Sequence, residues 1–277
     1  MISVIETVPA KDFNLSATLE SGQVFGFQKQ GQRYQGVISG HRLEIEAVSS
    51  ELQIHKNSDE LLSDSIADFF DLKKDLRPVY GLLNEIDVVS TQWQSMRGLR
   101  LIRQNSWEGL AGFILSSNNN IKRIMKIWMN LVETMSDGVQ FPQPATIARF
   151  HEMKLRELGL GYRASYLMSA ARFLANNPEY LQTIKEAPYS EARDKVMSFP
   201  GIGEKVADCV LLYGFQKLEA FPVDVWVYRI MTQLFFKGKK PTREKIAEFA
   251  RKKWGVWAGY VQQYLFHGVR CGILNIN

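Results

Sequence analysis

The stretch of sequence that decides the fold is Met197-Ser198-Phe199-Pro200-Gly201-Ile202-Gly203-Glu204-Lys205-Val206-Ala207-Asp208. A helix that ends at Ser198 is stopped by Pro200, because proline lacks the backbone N–H that a helix needs. Gly201 and Gly203 permit a tight turn with positive φ, and the next helix follows at once. The stretch therefore predicts a helical hairpin, over about residues 195–215.

The free N–H groups at the start of the second helix make the hairpin suited to phosphate. Gly201 and Gly203 would let a phosphate backbone approach these amides closely, and the helix dipole favours negative charge there. An ordinary turn between two helices is the other interpretation, and for an isolated Pro-Gly-x-Gly it is the favoured one. What favours phosphate binding is Lys205, two residues after the second glycine, and an acid further on.

Lys205 and Asp224 form a candidate catalytic pair. Lys205 would lie in the first turn of the helix, where the dipole disfavours a cation and should lower its pKa towards that of a usable amine nucleophile. Asp224 follows a proline and precedes a helical run, so it is a candidate N-cap, and a carboxylate held there can also stabilise positive charge on a sugar. A solvated lysine and a purely capping aspartate are the alternatives.

Periodicity predicts an α+β chain with an antiparallel β-rich part first. Between residues 13 and 55, apolar and polar side chains alternate in short runs separated by glycine, which is typical of an antiparallel meander. The predicted strand runs are 24–28, 33–38, 43–46 and 52–54. We expect this N-terminal β-rich subdomain to occupy residues 1–100.

From about residue 59 the apolar residues recur at helical spacing. The predicted helical segments are 60–72, 107–116, 121–135, 164–176, 206–215, 225–236, 243–253 and 258–269. A mostly helical domain over residues 101–277, containing the hairpin, is therefore expected.

Composition narrows the class of protein. The chain of 277 residues is 45% hydrophobic and 23% charged, which indicates an ordinary folded core. Its only cysteines are Cys209 and Cys271, which cannot build a disulfide scaffold, an all-cysteine zinc site or a four-cysteine iron–sulfur cluster within one chain. No apolar run is long enough to span a bilayer and the first residues lack a signal peptide pattern, so we expect an intracellular protein with no membrane association.

The charge is unevenly distributed along the chain. Residues 1–100 carry 10 basic and 14 acidic side chains, whereas residues 101–277 carry 24 basic and 15 acidic ones. A polyanionic partner should therefore contact mainly the second part.

Six motifs in the chain resemble those of one family of DNA repair enzymes. They are Ser21-Gly22-Gln23-Val24-Phe25, Ser116-Ser117-Asn118-Asn119-Asn120-Ile121, Leu158-Gly159-Leu160-Gly161-Tyr162-Arg163-Ala164, Phe199-Pro200-Gly201-Ile202-Gly203-Glu204-Lys205-Val206-Ala207-Asp208-Cys209, Phe221-Pro222-Val223-Asp224-Val225 and Trp257-Ala258-Gly259-Tyr260-Val261-Gln262. Together they resemble the helix-hairpin-helix, Gly-Pro-Asp DNA glycosylases, and within these most closely the 8-oxoguanine DNA glycosylase/lyases. The motifs follow the family order, so the resemblance covers nearly the whole chain.

The resemblance implies a bifunctional base-excision repair enzyme that acts on double-stranded DNA. Such an enzyme flips out and excises 8-oxoguanine, then nicks the abasic strand by β-elimination through a lysine Schiff base. Lys205 matches the nucleophile that attacks C1′, and Asp224 matches the acid that stabilises the sugar cation. The resemblance implies neither a cofactor nor a metal, and we expect a monomer.

The resemblance also assigns the base pocket. Phe266 and Cys209 match the residues that sandwich the flipped purine, and Gln262 matches the side chain that hydrogen-bonds its Watson–Crick edge. Gly22 matches the glycine whose carbonyl accepts the N7 hydrogen of 8-oxoguanine, where guanine has a bare acceptor. Spacing supports part of this independently, because Lys205 and Cys209, like Gln262 and Phe266, are four residues apart and face the same side of a helix.

Four further residues match those that contact the opposite strand. Asn118 resembles the residue that fills the gap left by the flipped base, and Arg123 and Arg163 resemble those that donate to the orphaned cytosine. Tyr162 matches the wedge that buckles that strand. Taken singly, residues 118–120 would be a polar loop or a helix cap and Tyr162 a packing residue.

Three positions depart from the family pattern. Trp226 stands where a histidine near a phosphate is expected, Val269 where an aspartate often touches the base, and Tyr213 replaces a smaller or more flexible pocket residue. These departures concern the finer contacts and the preference for the opposite base.

Two other functions remain open on sequence grounds. One is a different glycosylase of the superfamily, although members with an iron–sulfur loop need four cysteines and alkylpurine members lack the lysine. The other is a non-catalytic helix-hairpin-helix DNA-binding module, which would leave the paired Lys205 and Asp224 unexplained.

Overall fold

The computed structural model describes residues 4–274, and its first part is a five-stranded antiparallel sheet. The strands are β1 (Val4–Pro9), β2 (Gln28–Gln30), β3 (Arg33–Ile38), β4 (His41–Val48) and β5 (Glu51–Lys56). Their order across the sheet is β1-β5-β4-β3-β2. The central register pairs Ile45 of β4 with Tyr34 on one side and Ile54 on the other, and all three side chains are buried.

The antiparallel sheet was predicted correctly, but two of its details were not. Residues 24–27 were predicted to be a strand, and only Gln28–Gln30 forms one. Phe25 packs into the core of the helical part, 5.6 Å from the ring of Phe113, whereas Val24 and Phe27 pack in the cluster beneath the sheet. The segment therefore connects the two cores and does not pair as a strand. Strand β1 was not predicted at all; it pairs with β5, which lies about 50 residues away in sequence.

Fifteen α-helices make up most of the remaining described residues. They are α1 (Leu15–Leu19), α2 (Ser63–Phe69), α3 (Arg77–Asn84), α4 (Asp87–Ser90), α5 (Ser106–Ser116), α6 (Ile121–Met135), α7 (Pro144–Ala148), α8 (Glu152–Leu155), α9 (Arg163–Asn176), α10 (Tyr180–Glu186), α11 (Tyr189–Met197), α12 (Glu204–Phe215), α13 (Val225–Phe235), α14 (Arg243–Trp254) and α15 (Ala258–Arg270). Seven of the eight helical segments predicted from periodicity match within two residues at each end. The segment 60–72 is shorter than predicted, because its first helical residue is Ser63.

Two hydrophobic clusters hold the molecule together. The smaller one lies between the sheet and α2 and includes Ile45, Ile54 and Phe70. The larger one fills the helical part, and it also takes in α3, α4 and residues as early as Ala17. The α+β class is confirmed, whereas the predicted boundary between residues 100 and 101 stays a prediction.

Within residues 4–274, no helix combines the length and the apolar character that crossing a bilayer requires.

Candidate active site

The predicted hairpin is present between α11 and α12. Gly201 has φ of +81°, and a Cβ there would lie 2.2 Å from the ring of Tyr166, so both backbone angle and space require glycine. Gly203 precedes α12 with no side chain that caps the first turn, and Gly201 and Gly203 are both exposed. The amides at the start of α12 are thus available to an external phosphate. Phosphate binding there stays a prediction.

Buried polar contacts fix α12 against its neighbours. The Tyr189 hydroxyl of α11 donates to Asp208 Oδ1 at 2.6 Å, and Arg193 Nε lies 3.4 Å from the same oxygen. Arg251 of α14 donates to the Tyr189 hydroxyl at 3.1 Å. Burial raises the pKa of Asp208 to about 6, although Tyr189 and Arg193 both lower it. Because Asp208 lies between Lys205 and Cys209 on α12, this network fixes the rotation of the helix and with it the direction of both neighbouring side chains.

A cavity of about 690 Å³ opens beside α12. It is of the size of an ordinary small-molecule site. All six residues predicted for catalysis and for the base pocket line it, namely Gly22, Lys205, Cys209, Asp224, Gln262 and Phe266. These residues come from the N-terminal loop, α12, the start of α13 and α15, so the fold gathers positions up to 244 residues apart.

The environment of Lys205 differs from the prediction. Burial lowers the pKa of Lys205, but the Cys209 sulfur and the Asp224 carboxylate raise it, and the balance lies above the ordinary lysine value. The predicted lowering is therefore wrong, because the neighbouring Cys209 and Asp224 side chains outweigh burial. Lys205 enters the reaction as an ammonium that must first lose a proton.

Asp224 is the N-cap of α13, as predicted. Its Oδ1 accepts from the backbone N–H of Trp226 at 3.0 Å and of Val227 at 2.8 Å. Burial raises the pKa of Asp224, and the bond from Val227 and the charge of Lys205 oppose that shift. Both backbone bonds fall on Oδ1, so the other carboxylate oxygen makes no hydrogen bond to any described residue and remains available to the cavity.

Gly22 is held close to the aromatic wall of the cavity. Its φ is +81°, and a Cβ there would lie 2.8 Å from Ile121 Cδ1 and 3.6 Å from Phe266 Cε1. Cys209, buried on α12, keeps its proton because burial raises its pKa to about 11. Gly22, Phe266 and a neutral Cys209 thiol thus line one cavity, and the predicted purine sandwich stays a prediction.

Gln262 is buried, and both ends of its amide lie beside polar groups. Its Nε2 donates to the carbonyl of Pro222 at 3.2 Å, and its Oε1 lies 3.2 Å from the Tyr213 hydroxyl. The same hydroxyl also contacts Oε1 of Gln263, whose Nε2 donates to the Ser21 carbonyl at 3.2 Å. A chain of polar groups therefore links the loop before Gly22 to the loop before Asp224.

The four residues predicted to contact the opposite strand lie together, outside the cavity lining. Asn118 is exposed with φ of +46°, a conformation in which asparagine is more common than most residues. Arg163 is buried, and it donates to the carbonyls of Ser117 and Asn118, each at 2.7 Å. The Tyr162 hydroxyl also donates to Ser117, at 3.1 Å.

The contacts of residues 118–123 distinguish a helix-capping residue from those predicted to contact DNA. Asn120 caps α6 by accepting from the N–H of Arg123 at 3.0 Å, so the capping interpretation is correct for Asn120. Arg123 itself is exposed and donates to the Gly159 carbonyl at 3.3 Å. Contacts of Asn118, Arg123, Tyr162 and Arg163 with DNA stay predictions.

Comparisons with known proteins support the same family. Residues 111–255 match the model of the HhH-GPD superfamily of base excision DNA repair proteins, and residues 6–110 match the N-terminal domain of 8-oxoguanine DNA glycosylase. The chain belongs to the HhH-GPD superfamily. The resemblance inferred from six motifs is thereby confirmed.

Three relatives of this HhH-GPD protein cover nearly all of it. A probable N-glycosylase/DNA lyase of Methanothermobacter thermautotrophicus is 31% identical over 97% of each chain. The structure of MBOgg1 with a low-affinity DNA ligand has a TM-score of 0.90 and 32% identity, covering 98% of this chain and 96% of that one. The 8-oxoguanine glycosylase/lyase of Clostridium acetobutylicum, bound to double-stranded DNA with cytosine opposite 8-oxoguanine, has a TM-score of 0.87 and 29% identity, covering 98% and 99%.

Two of the three departures from the family pattern lie at the cavity. Tyr213 and Trp226 line it, and Trp226 is half-buried with the guanidinium of Arg229 5.4 Å from its ring. Val269 is 7% exposed and packs in the helical core. A valine there cannot replace the polar contact of an aspartate.

Arg270 and Phe113 are cavity residues that the sequence analysis missed. The Arg270 guanidinium lies 5.4 Å from the ring of Phe266 and donates to the Glu20 carbonyl, so it supports the aromatic wall. Its position four residues after Phe266 on α15 was a usable signal. Phe113 stacks on Tyr213 with centroids 5.1 Å apart, and no sequence pattern pairs these two distant residues.

Proposed function

We propose that this HhH-GPD protein excises 8-oxoguanine from double-stranded DNA and then cleaves the abasic strand as a lyase. The observation that carries the proposal is one cavity of about 690 Å³ whose lining contains an amine, Lys205, a carboxylate, Asp224, and the aromatic ring of Phe266. Relatives that span the whole chain are named N-glycosylase/DNA lyase and 8-oxoguanine glycosylase/lyase.

Binding begins with the phosphate backbone. The exposed amides at Gly201 and Gly203 hold a phosphate beside the lesion, and the first turn of α12 adds its dipole. Because Lys205 is the second residue of α12, a nucleotide anchored at the hairpin brings its sugar close to the amine. The base must then leave the helical stack to enter the cavity.

Recognition of the flipped base rests on Gly22. Its carbonyl accepts the N7 hydrogen of 8-oxoguanine, whereas the bare N7 of guanine would face it with a lone pair. Such a difference of one hydrogen bond corresponds to roughly 1 to 3 kcal/mol of discrimination. Phe266 and Cys209 hold the purine between them, and Gln262 contacts its Watson–Crick edge.

The chemical step is substitution at C1′ of the deoxyribose. Lys205 loses a proton and its Nζ forms a bond to C1′ as the bond from C1′ to N9 breaks, and the base departs with that electron pair and takes up a proton. Asp224 stabilises the positive charge that develops on the sugar, because its carboxylate is fixed by two backbone bonds before the substrate arrives.

Strand cleavage follows from the same amine. The sugar ring opens to a Schiff base, C2′ loses a proton, and the electron pair expels the 3′ phosphate in a β-elimination. A free Lys205 is regenerated when water hydrolyses the imine.

A nicking assay with a lysine variant tests the proposal. Duplex DNA with a single 8-oxoguanine opposite cytosine should be cleaved by the wild-type protein, and Lys205→Gln should abolish base release and nicking while leaving lesion binding largely intact. Lys195→Gln, on the other hairpin helix, is the matched control and should cleave normally. Wild-type protein that binds this duplex without cleaving it would support a non-catalytic DNA-binding module instead.

A further inference from the structure

Tyr213 is the cavity residue whose role neither the chemistry of the sugar nor the family pattern explains. It lies on α12, one helical turn after Cys209 and two after Lys205, and it lines the same cavity. Its ring stacks on Phe113, with an angle of 18° between the planes, which fixes where its hydroxyl lies.

The two glutamines beside Tyr213 have defined amide orientations. The Pro222 carbonyl faces the Gln262 amide and the Ser21 carbonyl faces the Gln263 amide. A carbonyl only accepts hydrogen bonds, so the nitrogen of each amide must point to it. Both Oε1 atoms therefore point to the Tyr213 hydroxyl.

One hydroxyl proton cannot serve both amide oxygens. Gln263 is fully buried, and Tyr213 is the only donor to its Oε1 among residues 4–274, so withdrawing the proton would leave a buried acceptor unpaired. Gln262 differs, because it lines the cavity and can accept from a ligand. The proton consequently goes to Gln263, and burial keeps it on the phenol by raising the pKa of Tyr213 well above its ordinary value.

This arrangement leaves two acceptors side by side in the cavity wall. They are Gln262 Oε1 and Tyr213 Oη, 3.2 Å apart. A guanine-type base carries two adjacent donors on its Watson–Crick edge, the N1 hydrogen and the 2-amino group. An adenine-type base presents an acceptor at N1, which would face a lone pair.

We propose that Tyr213 is a further specificity-determining residue, whose Oη accepts from the 2-amino group of the flipped base while Gln262 Oε1 accepts from N1–H. This inference rests on the proposed function, since it deepens the recognition of the same base. It assigns a role to a position at which the chain departs from its family.

The test compares 8-oxoguanine with 8-oxohypoxanthine, which keeps N1–H and lacks the 2-amino group. Wild-type protein should excise 8-oxoguanine about tenfold faster in single turnovers, the size expected for one buried hydrogen bond. In Tyr213→Phe, which retains the ring that stacks on Phe113, the ratio of the two rates should fall to about one.

Tyr264→Phe is the matched control. It also removes a buried tyrosine hydroxyl, one that donates to the Leu99 carbonyl at 3.2 Å away from the cavity lining, and it should keep the wild-type ratio. Cleavage of a preformed abasic site, which has no base to contact, should proceed at the wild-type rate in Tyr213→Phe.

The outcomes separate this inference from the proposed function. A wild-type ratio of one, or a ratio in Tyr213→Phe equal to that of the wild type, would overturn the role of Tyr213. The wild-type measurement decides the matter even if Tyr213→Phe does not fold. Absence of cleavage of both 8-oxoguanine DNA and abasic DNA by the wild type would instead remove the proposed function.

Discussion

The cavity and the loop at residues 117–120 are both predicted to contact DNA, yet they are built in opposite ways. In the cavity, Asp224 and Gln262 are fixed by hydrogen bonds to neighbouring backbone before any ligand arrives. In the loop, Asn118 is exposed, and the buried Arg163 is occupied by the carbonyls of Ser117 and Asn118. The difference indicates that the chemistry is preorganised, whereas reading the opposite strand requires contacts that form only with DNA.

After Lys205→Gln, the variant Asp224→Asn should lower the rate of base excision the most. Asparagine caps a helix about as well as aspartate, so the free energy of unfolding should stay within about 0.5 kcal/mol. The negative charge facing the sugar is lost, and the rate of base excision should fall on the order of 100-fold. Single-turnover kinetics and urea unfolding measure the two quantities. A variant that unfolds, or one that turns over normally, would remove Asp224 from catalysis.

Gly22→Ala should weaken recognition of the flipped base more than binding of the sugar. The added Cβ would lie 2.8 Å from Ile121 Cδ1, and φ of +81° is unfavourable for alanine, so the carbonyl should shift away from the purine. We expect excision of 8-oxoguanine to fall roughly tenfold or more, with a much smaller loss of affinity for an abasic-site analogue. Equal losses on both ligands would indicate a folding defect.

Two arginines of the loop test the contrast between the regions. Arg163→Ala removes a buried guanidinium that donates to the Ser117 and Asn118 carbonyls, and it should lower the free energy of unfolding by about 1 to 3 kcal/mol. Arg123→Ala, at an exposed position, should change it by less than about 0.5 kcal/mol. Urea unfolding of both variants provides the comparison. If Arg163→Ala is as stable as the wild type, the loop is not supported in the way that the structure indicates.

The pH dependence should be modest and of defined sign. Burial raises the pKa of Asp224, so its carboxylate becomes protonated at a higher pH than that of an ordinary aspartate. The excision rate should therefore decrease as the pH is lowered through that raised pKa, and it should recover as the pH is raised. Asp224→Asn should lose the part of this decrease that comes from the carboxylate and keep the part that comes from protonation of Lys205. Identical pH profiles of the excision rate in the wild type and in Asp224→Asn would contradict the assignment.

The catalytic half of the site was predictable because its determinants are local. Pro200 and Gly201 specify the hairpin, and Pro222 with Asp224 specifies a capped helix, each within a few residues of sequence. Spacing of four residues then placed Cys209 beside Lys205 on one helix face. The cavity of the structure brings these residues together as predicted.

What the sequence did not reveal depends on residues far apart in the chain. The pKa of Lys205 is raised, opposite to the prediction, because Cys209 and Asp224 outweigh the effect of burial. Residues 24–27 connect the two cores and form no strand, because Phe25 packs against the distant Phe113 while Val24 and Phe27 stay beneath the sheet. The orientation of the Gln262 amide depends on Tyr213 and Pro222, which lie in other elements of the fold.

Mapping of a trapped covalent adduct tests the central claim most directly. Wild-type protein is incubated with 8-oxoguanine duplex and borohydride, which reduces an imine to a stable amine, and the protein is digested and analysed by mass spectrometry. The mechanism predicts one DNA-derived modification, on the peptide that contains Lys205, and none in Lys205→Gln. An adduct on another amine, such as that of Lys122 in the cavity lining, or release of the base with no adduct, would contradict it.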